Sequence, residues 1–169
     1  MKKRVVTKIG DIFSVSIDKS RKKFFQLVAF DRTQLNSDVI RGFKKDFPIE
    51  KTPTMGEIVK GEVQFYAHCT VKLGVKLGHW EKVGKFDDVG EVNDIIFKGT
   101  EDYATMPGQK PITVSENWYI WRIGDLDFTD VGKLEGENRE AYIGLVINPL
   151  GIIELLKGNK YPPFYPDFT

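Results

Sequence analysis

The sequence predicts a mainly β (α+β) fold: a twisted, partly closed antiparallel sheet or barrel with a C-terminal helix packed on it. Apolar and polar residues alternate over 11–17, 62–72 and 117–123, the two-residue period of strands that bury one face. Only one segment carries a full set of helix signals. There Asn148 can cap the start, Pro149 suits the first turn, Ile152, Ile153, Leu155 and Leu156 form an apolar stripe, and Gly158 ends it. A chain of 169 residues with 41% hydrophobic content can bury a proper core, and a single domain over 1–169 is expected.

Taken in order, Phe13, Val15 and Ile17 share one face of a first strand. The polar turn Asp18-Lys19-Ser20-Arg21 leads into a near-continuous apolar run, Lys23 to Asp31, which suggests a hairpin although no Asn-Gly marks its turn. Asn36 to Phe47 stays open. Leu35, Val39, Ile40, Phe43 and Phe47 recur at helical spacing, yet Gly42 weakens a helix there. Thr54 and Glu57 have the spacing of a capping box, for a helical turn closed by Gly61. Later strands are expected over 94–98, 117–123 and 140–147, which are rich in β-branched and aromatic residues. The tail 161–169, YPPFYPDFT, is held extended by three prolines, and its aromatics suggest that it docks on the body.

The segment His68 to Gly84 (HCTVKLGVKLGHWEKVG) holds both histidines and the only cysteine, so it decides whether enzyme or metal chemistry is on offer. Alternation places Cys69 toward the core and His68 away from it, so the two cannot form a thiolate–imidazole pair. A buried thiol in apolar company is unreactive, because desolvation disfavours the thiolate. Two histidines and one cysteine fall short of a zinc set without carboxylates, and the spacing of His68, Cys69 and His79 matches no ligand pattern. No catalytic residue, metal or cofactor is assigned. The stretch reads as a turn between strands, with Trp80 buried between Gly78 and Gly84 and pinning that turn to the sheet.

Other motifs are equally spare. Gly74-Val-Lys-Leu-Gly78 lacks the Gly-Lys-Ser/Thr ending of a phosphate loop. Trp118, Tyr119 and Trp121 alternate faces, which two-sided burial explains without a stacked base. No apolar run approaches the ~20 residues of a membrane span, and no apolar core follows Met1-Lys2-Lys3-Arg4 as a signal peptide requires. With a single cysteine, a cytoplasmic protein is expected.

Charge is distributed unevenly. Residues 1–45 carry 12 basic and 4 acidic side chains, while residues 81–140 carry 7 basic and 14 acidic. The halves could neutralise each other across a sheet, or mark charged partners.

The landmarks also follow an order. Gly10-Asp11-Ile12-Phe13 opens the first strand, and Gly78-His79-Trp80-Glu81-Lys82-Val83-Gly84 comes later, followed by Phe97 on another strand. Over about residues 8–100 this resembles the immunity protein 26 family of bacterial polymorphic toxin systems. The resemblance implies a mostly β, non-enzymatic cytoplasmic protector that binds a cognate protein toxin and occludes its active site. Several such toxins are nucleases with basic clefts, which an acidic surface would suit. Asp87, Asp88, Glu91, Asp94, Glu101 and Asp102 are the densest acidic set and the expected toxin-binding residues. The alternative is a nucleic-acid-binding β-barrel that meets phosphates through Lys2, Lys3, Arg4, Lys19, Arg21, Lys22 and Lys23. The net charge of +1 speaks against it.

Overall fold

The computed structural model describes residues 4–103 and 106–169. The strands of the N-terminal half are β1 (Asp11–Ser16), β2 (Arg21–Asp31), β3 (Ser37–Phe43), β4 (Phe47–Pro48), β5 (Val63–Cys69) and β6 (Glu81–Lys85). Helices α1 (Met55–Val59) and α2 (Val71–Leu77) flank β5. The C-terminal half holds β7 (Ile96–Thr100), β8 (Val114–Ser115), β9 (Trp118–Arg122), β10 (Thr129–Gly132), β11 (Tyr142–Ile143), β12 (Val146–Ile147), α3 (Pro149–Leu156) and β13 (Asp167–Phe168). The fold is mainly β, as the alternating runs require, with α3 packed against it.

Seven strands form the larger sheet in the order β12-β5-β3-β2-β1-β6, with β4 also paired to β2. Its long ladders are antiparallel, whereas β12 joins β5 in parallel. The β1–β2 hairpin closes without Asn-Gly because the Asp18 carboxylate accepts from the backbone amides of Ser20 and Arg21. A four-stranded sheet, β10-β9-β7-β11, stacks on the first, and β13 pairs in parallel with β8.

Both faces of the larger sheet are covered. Phe25, Leu27, Ile40, Phe65 and Cys69 pack with Trp80 of the β6 approach and with Ile152 and Leu156 of α3. On the other face Val28 and Val39 meet Phe97 and Trp121 of the second sheet. The segment 36–47, left open by its spacing, enters strands β3 and β4, and burial of both faces of β3, with Val39 and Ile40 in cores on opposite sides, accounts for the loss of a clean two-residue period. The capping box at Thr54 forms as predicted: Glu57 N–H donates to Thr54 Oγ1 and Thr54 N–H donates to Glu57.

The alternation that suggested a strand to Lys72 stops at Cys69. Helix α2 replaces the expected turn, ending on Gly78 in the left-handed conformation. Trp80 is buried as predicted, lies edge-on to Phe25 at 5.0 Å, and donates from Nε1 to the Val71 carbonyl. The expected strand over 140–147 divides into β11 and β12, one for each sheet. The tail docks: Tyr165 is buried against Trp118, and Phe168 lies beneath the Lys98 ammonium at 4.4 Å. Among the described residues no helix is long and apolar enough to cross a membrane.

Candidate protein-binding site

The acidic loop between β6 and β7 owes its shape to two polar residues inside the larger sheet. Gln26 of β2 is fully buried, and its Nε2 donates to the carbonyls of Phe86 and Asp88 at 2.8 and 3.2 Å. Its Oε1 accepts from Arg41 Nε of β3, and Arg41 Nη2 donates to the Asp88 carbonyl at 3.0 Å. Buried polar groups must find partners, and here the partners are the carbonyls of a loop that would otherwise be loosely held. The Asp88 carboxylate then accepts from Gly90 N–H, and Glu91 Oε1 accepts from Asn93 N–H. Sequence reasoning missed Gln26 and Arg41. One polar residue within an apolar run was the only signal.

Clamped in this way, the loop presents Glu91 and Asp94 to a groove of about 350 Å³. Glu137 and Glu140 arrive from a 3₁₀ turn more than 40 residues later, and Tyr66 of β5 and Tyr142 of β11 line the wall. Of the four carboxylates, Glu137 has Arg122 at 3.5 Å. The two tyrosines meet edge to face at 5.3 Å. Burial pushes the Tyr142 hydroxyl above its usual pKa, so it remains a proton donor at neutral pH. The same pair borders a second, apolar hollow of about 190 Å³, formed with Phe65, Ile147, Leu155 and Tyr161. A groove edged by carboxylates therefore adjoins an apolar slot across a shared aromatic wall.

The six acidic residues expected to act together are not one patch. Glu91 and Asp94 line the groove. Asp87 projects almost wholly into solvent, 3.6 Å from Lys85. Glu101 and Asp102 lie in a separate hollow with Asn117, Trp118, Tyr119 and Asp130. Asp102 is engaged internally, since it accepts from Ser115 Oγ at 2.6 Å and from Asn117 Nδ2. Glu137 and Glu140 belong to the groove and were overlooked, because linear density does not report which distant turn folds back.

The residues of the His68–Gly84 segment are dispersed. Cys69 is fully buried, and burial drives its thiol well above the usual range, which leaves it unreactive. His68 points to the opposite face, as alternation requires, yet it is not exposed there: the second sheet covers it. Its Nε2 donates to Asp31 Oδ2 at 2.8 Å, its ring lies 4.3 Å from that of Phe97, and Nδ1 has no partner among the described residues. Burial depresses the imidazole pKa despite the nearby carboxylate. Burial raises that of Asp31, but bonds from His68, Gln34 and Thr33 outweigh it and hold Asp31 low. The pair is thus neutral imidazole and ionised carboxylate, sealed from any substrate. Among the described residues no group of three or more His, Cys, Asp or Glu could hold a metal ion.

The two landmarks of the family resemblance are neighbours in space. β1 and β6 pair antiparallel, Phe13 lies opposite Lys82, and Lys82 Nζ meets the buried Asp11 carboxylate at 2.8 Å. No family model, curated protein or solved structure matches the chain.

Proposed function

We propose that this chain is a non-catalytic immunity protein that binds a cognate secreted bacterial toxin in the cytoplasm and neutralises it by occluding its active site. The observation that carries this reading is the convergence of Glu91, Asp94, Glu137 and Glu140 on one groove walled by Tyr66 and Tyr142. Carboxylates at the rim suit a basic cleft of the kind that nucleases use for phosphate, and charge complementarity of this type accelerates encounter and excludes wrong partners. Tyrosines beside an apolar slot supply the desolvated centre that affinity requires. The partner segment suited to this surface is a lysine or arginine next to an apolar side chain. Of the cations assigned to a nucleic-acid surface, Lys2 and Lys3 lie outside the described residues, Arg21 is held by Asp18 and Asp46, and Lys22 donates to the Ile49 carbonyl.

Co-expression with the toxin encoded beside it tests the proposal. The wild-type chain restores growth. Glu91→Lys combined with Glu140→Lys abolishes rescue while thermal unfolding is unchanged, and Tyr142→Ala weakens binding by about 2 kcal/mol or more, the loss typical of a central anchor. Failure of the wild type to rescue, or full rescue by the reversed-charge variant, rejects it.

A further inference from the structure

At the far end of the β1–β2 hairpin lies a second hollow, of about 480 Å³, which shares no residue with the acidic groove. Its lining includes Arg21, Lys23, Lys44, Lys45 and Lys157 against only two carboxylates, Asp18 and Asp46. Both carboxylates are spoken for: each lies 2.8 Å from the Arg21 guanidinium. Lys44 leans outward to Glu62, and Lys157 to Glu154, both in exposed pairs that contribute little. Lys45 sits over the Phe47 ring.

Lys23 is the unusual member. It is only 8% exposed, yet it has no carboxylate partner; its ammonium donates to the neutral Gln64 Oε1 at 3.1 Å. An ammonium has three donors, and among the described residues two of these lack an acceptor. Burial, together with the neighbouring cations, depresses its pKa, and Asp46 only partly opposes this. An ammonium this enclosed, with no carboxylate in direct contact, is favoured when an anion in the hollow completes its hydrogen bonds. Nothing aromatic is open for stacking on the walls, whose apolar residues are Ile17 and Leu156. The hollow therefore matches phosphate oxygens rather than nucleobases.

We propose that this hollow binds a phosphorylated small molecule, with its phosphate oxygens on the free donors of Lys23 and with Lys45 and Lys157 closing over it. Calorimetric titration of the full chain with inorganic pyrophosphate tests this at about 0.15 M salt, where exposed charges are largely screened. The expected result is saturable one-to-one binding with Kd below about 1 mM, weakened at least roughly tenfold (about 1.4 kcal/mol) in Lys23→Gln. Should that variant fail to fold, the exposed double variant Lys45→Ala/Lys157→Ala shows the same loss. Absence of saturable binding to the wild type overturns the proposal, as does undiminished binding by the folded variants. An oligothymidylate that displaces pyrophosphate and binds more tightly for each phosphate overturns it in favour of a nucleic-acid backbone.

Discussion

Trp80 shows what one side chain contributes here. Its ring is 4% exposed, meets Phe25 edge-on, and satisfies its indole N–H on the Val71 carbonyl. Truncation to alanine should therefore destabilise by about 3–5 kcal/mol, the range for a large core aromatic, measurable by urea unfolding of the isolated chain. Cys69→Ala removes one buried sulfur and should leave the proposed toxin protection intact. His68 makes a sharper prediction. Its imidazole titrates near 6.5 when unfolded but at lower pH when folded. Above pH 6.5 the imidazole is neutral in both states and contributes no pH dependence. As pH falls below 6.5 the unfolded chain takes up a proton that the folded chain refuses, so stability declines until the folded pKa is reached. Asp31 adds its own loss only in stronger acid, as pH falls below the usual carboxylate value toward its depressed folded one. The difference in stability between wild type and His68→Gln should thus be flat from pH 8 to 7 and change between about pH 6.5 and 5. A constant difference would show that His68 titrates normally. Alternation placed Cys69 and His68 on opposite faces correctly. That His68 is buried too was not legible, because a strand does not reveal whether a second sheet covers its outer side.

Among the elements, the strands with an unbroken two-residue period and the capped helix were legible, and the irregular ones were not. β3 is buried on both faces, Val39 toward the second sheet and Ile40 toward α3 and Trp80, so its apolar residues do not alternate and mimic helical spacing. α2 was hidden for the opposite reason. Its seven residues include Gly74, a poor helix former, and follow directly on a strand. The glycine is there for contact: a Cβ at position 74 would overlap the Trp80 ring. Gly74→Ala should therefore destabilise by about 1–3 kcal/mol through overpacking, although alanine improves helix propensity by about 1 kcal/mol. A variant more stable than wild type in thermal unfolding would mean that the ring can move aside. Asn148 gives a simpler case. Its Oδ1 accepts from Gly151 N–H at 2.8 Å, so Asn148→Ala should cost about 1 kcal/mol, and differential scanning calorimetry can resolve that loss.

At the scale of the whole molecule, three parallel ladders of two residue pairs each hold the C-terminal third in place. Two residues carry no period, so none of these pairings could be read in advance, nor could the return of Glu137 and Glu140 to the loop that carries Glu91 and Asp94. The tail was legible only as something that docks. Its seat is the outer face of the second sheet: Tyr165 is 3% exposed beside Trp118 and Tyr103, and Phe168 lies between Lys98 and the Arg139 guanidinium. Lys98 is itself a nearly buried cation, so Phe168 both covers it and supplies a ring face to its charge. Deleting residues 161–169 would uncover Trp118, strand Lys98 without that ring, and remove the partner of β8. Stability should fall by at least about 3–5 kcal/mol, through loss of Tyr165 and of Tyr161, whose ring packs against Gly151 of α3. Phe168→Leu, which keeps the apolar cover but loses the ring, should cost about 0.5–2 kcal/mol. Because Phe168 seats beside Trp118 and Lys98 and lines neither the acidic groove, its apolar slot nor the Lys23 hollow, the folded fraction of the Phe168→Leu variant should match the wild type in the proposed binding of toxin and pyrophosphate. Loss of either proposed binding in a variant shown to be folded by circular dichroism would mean that Phe168 takes part in it as well as in holding the second sheet together.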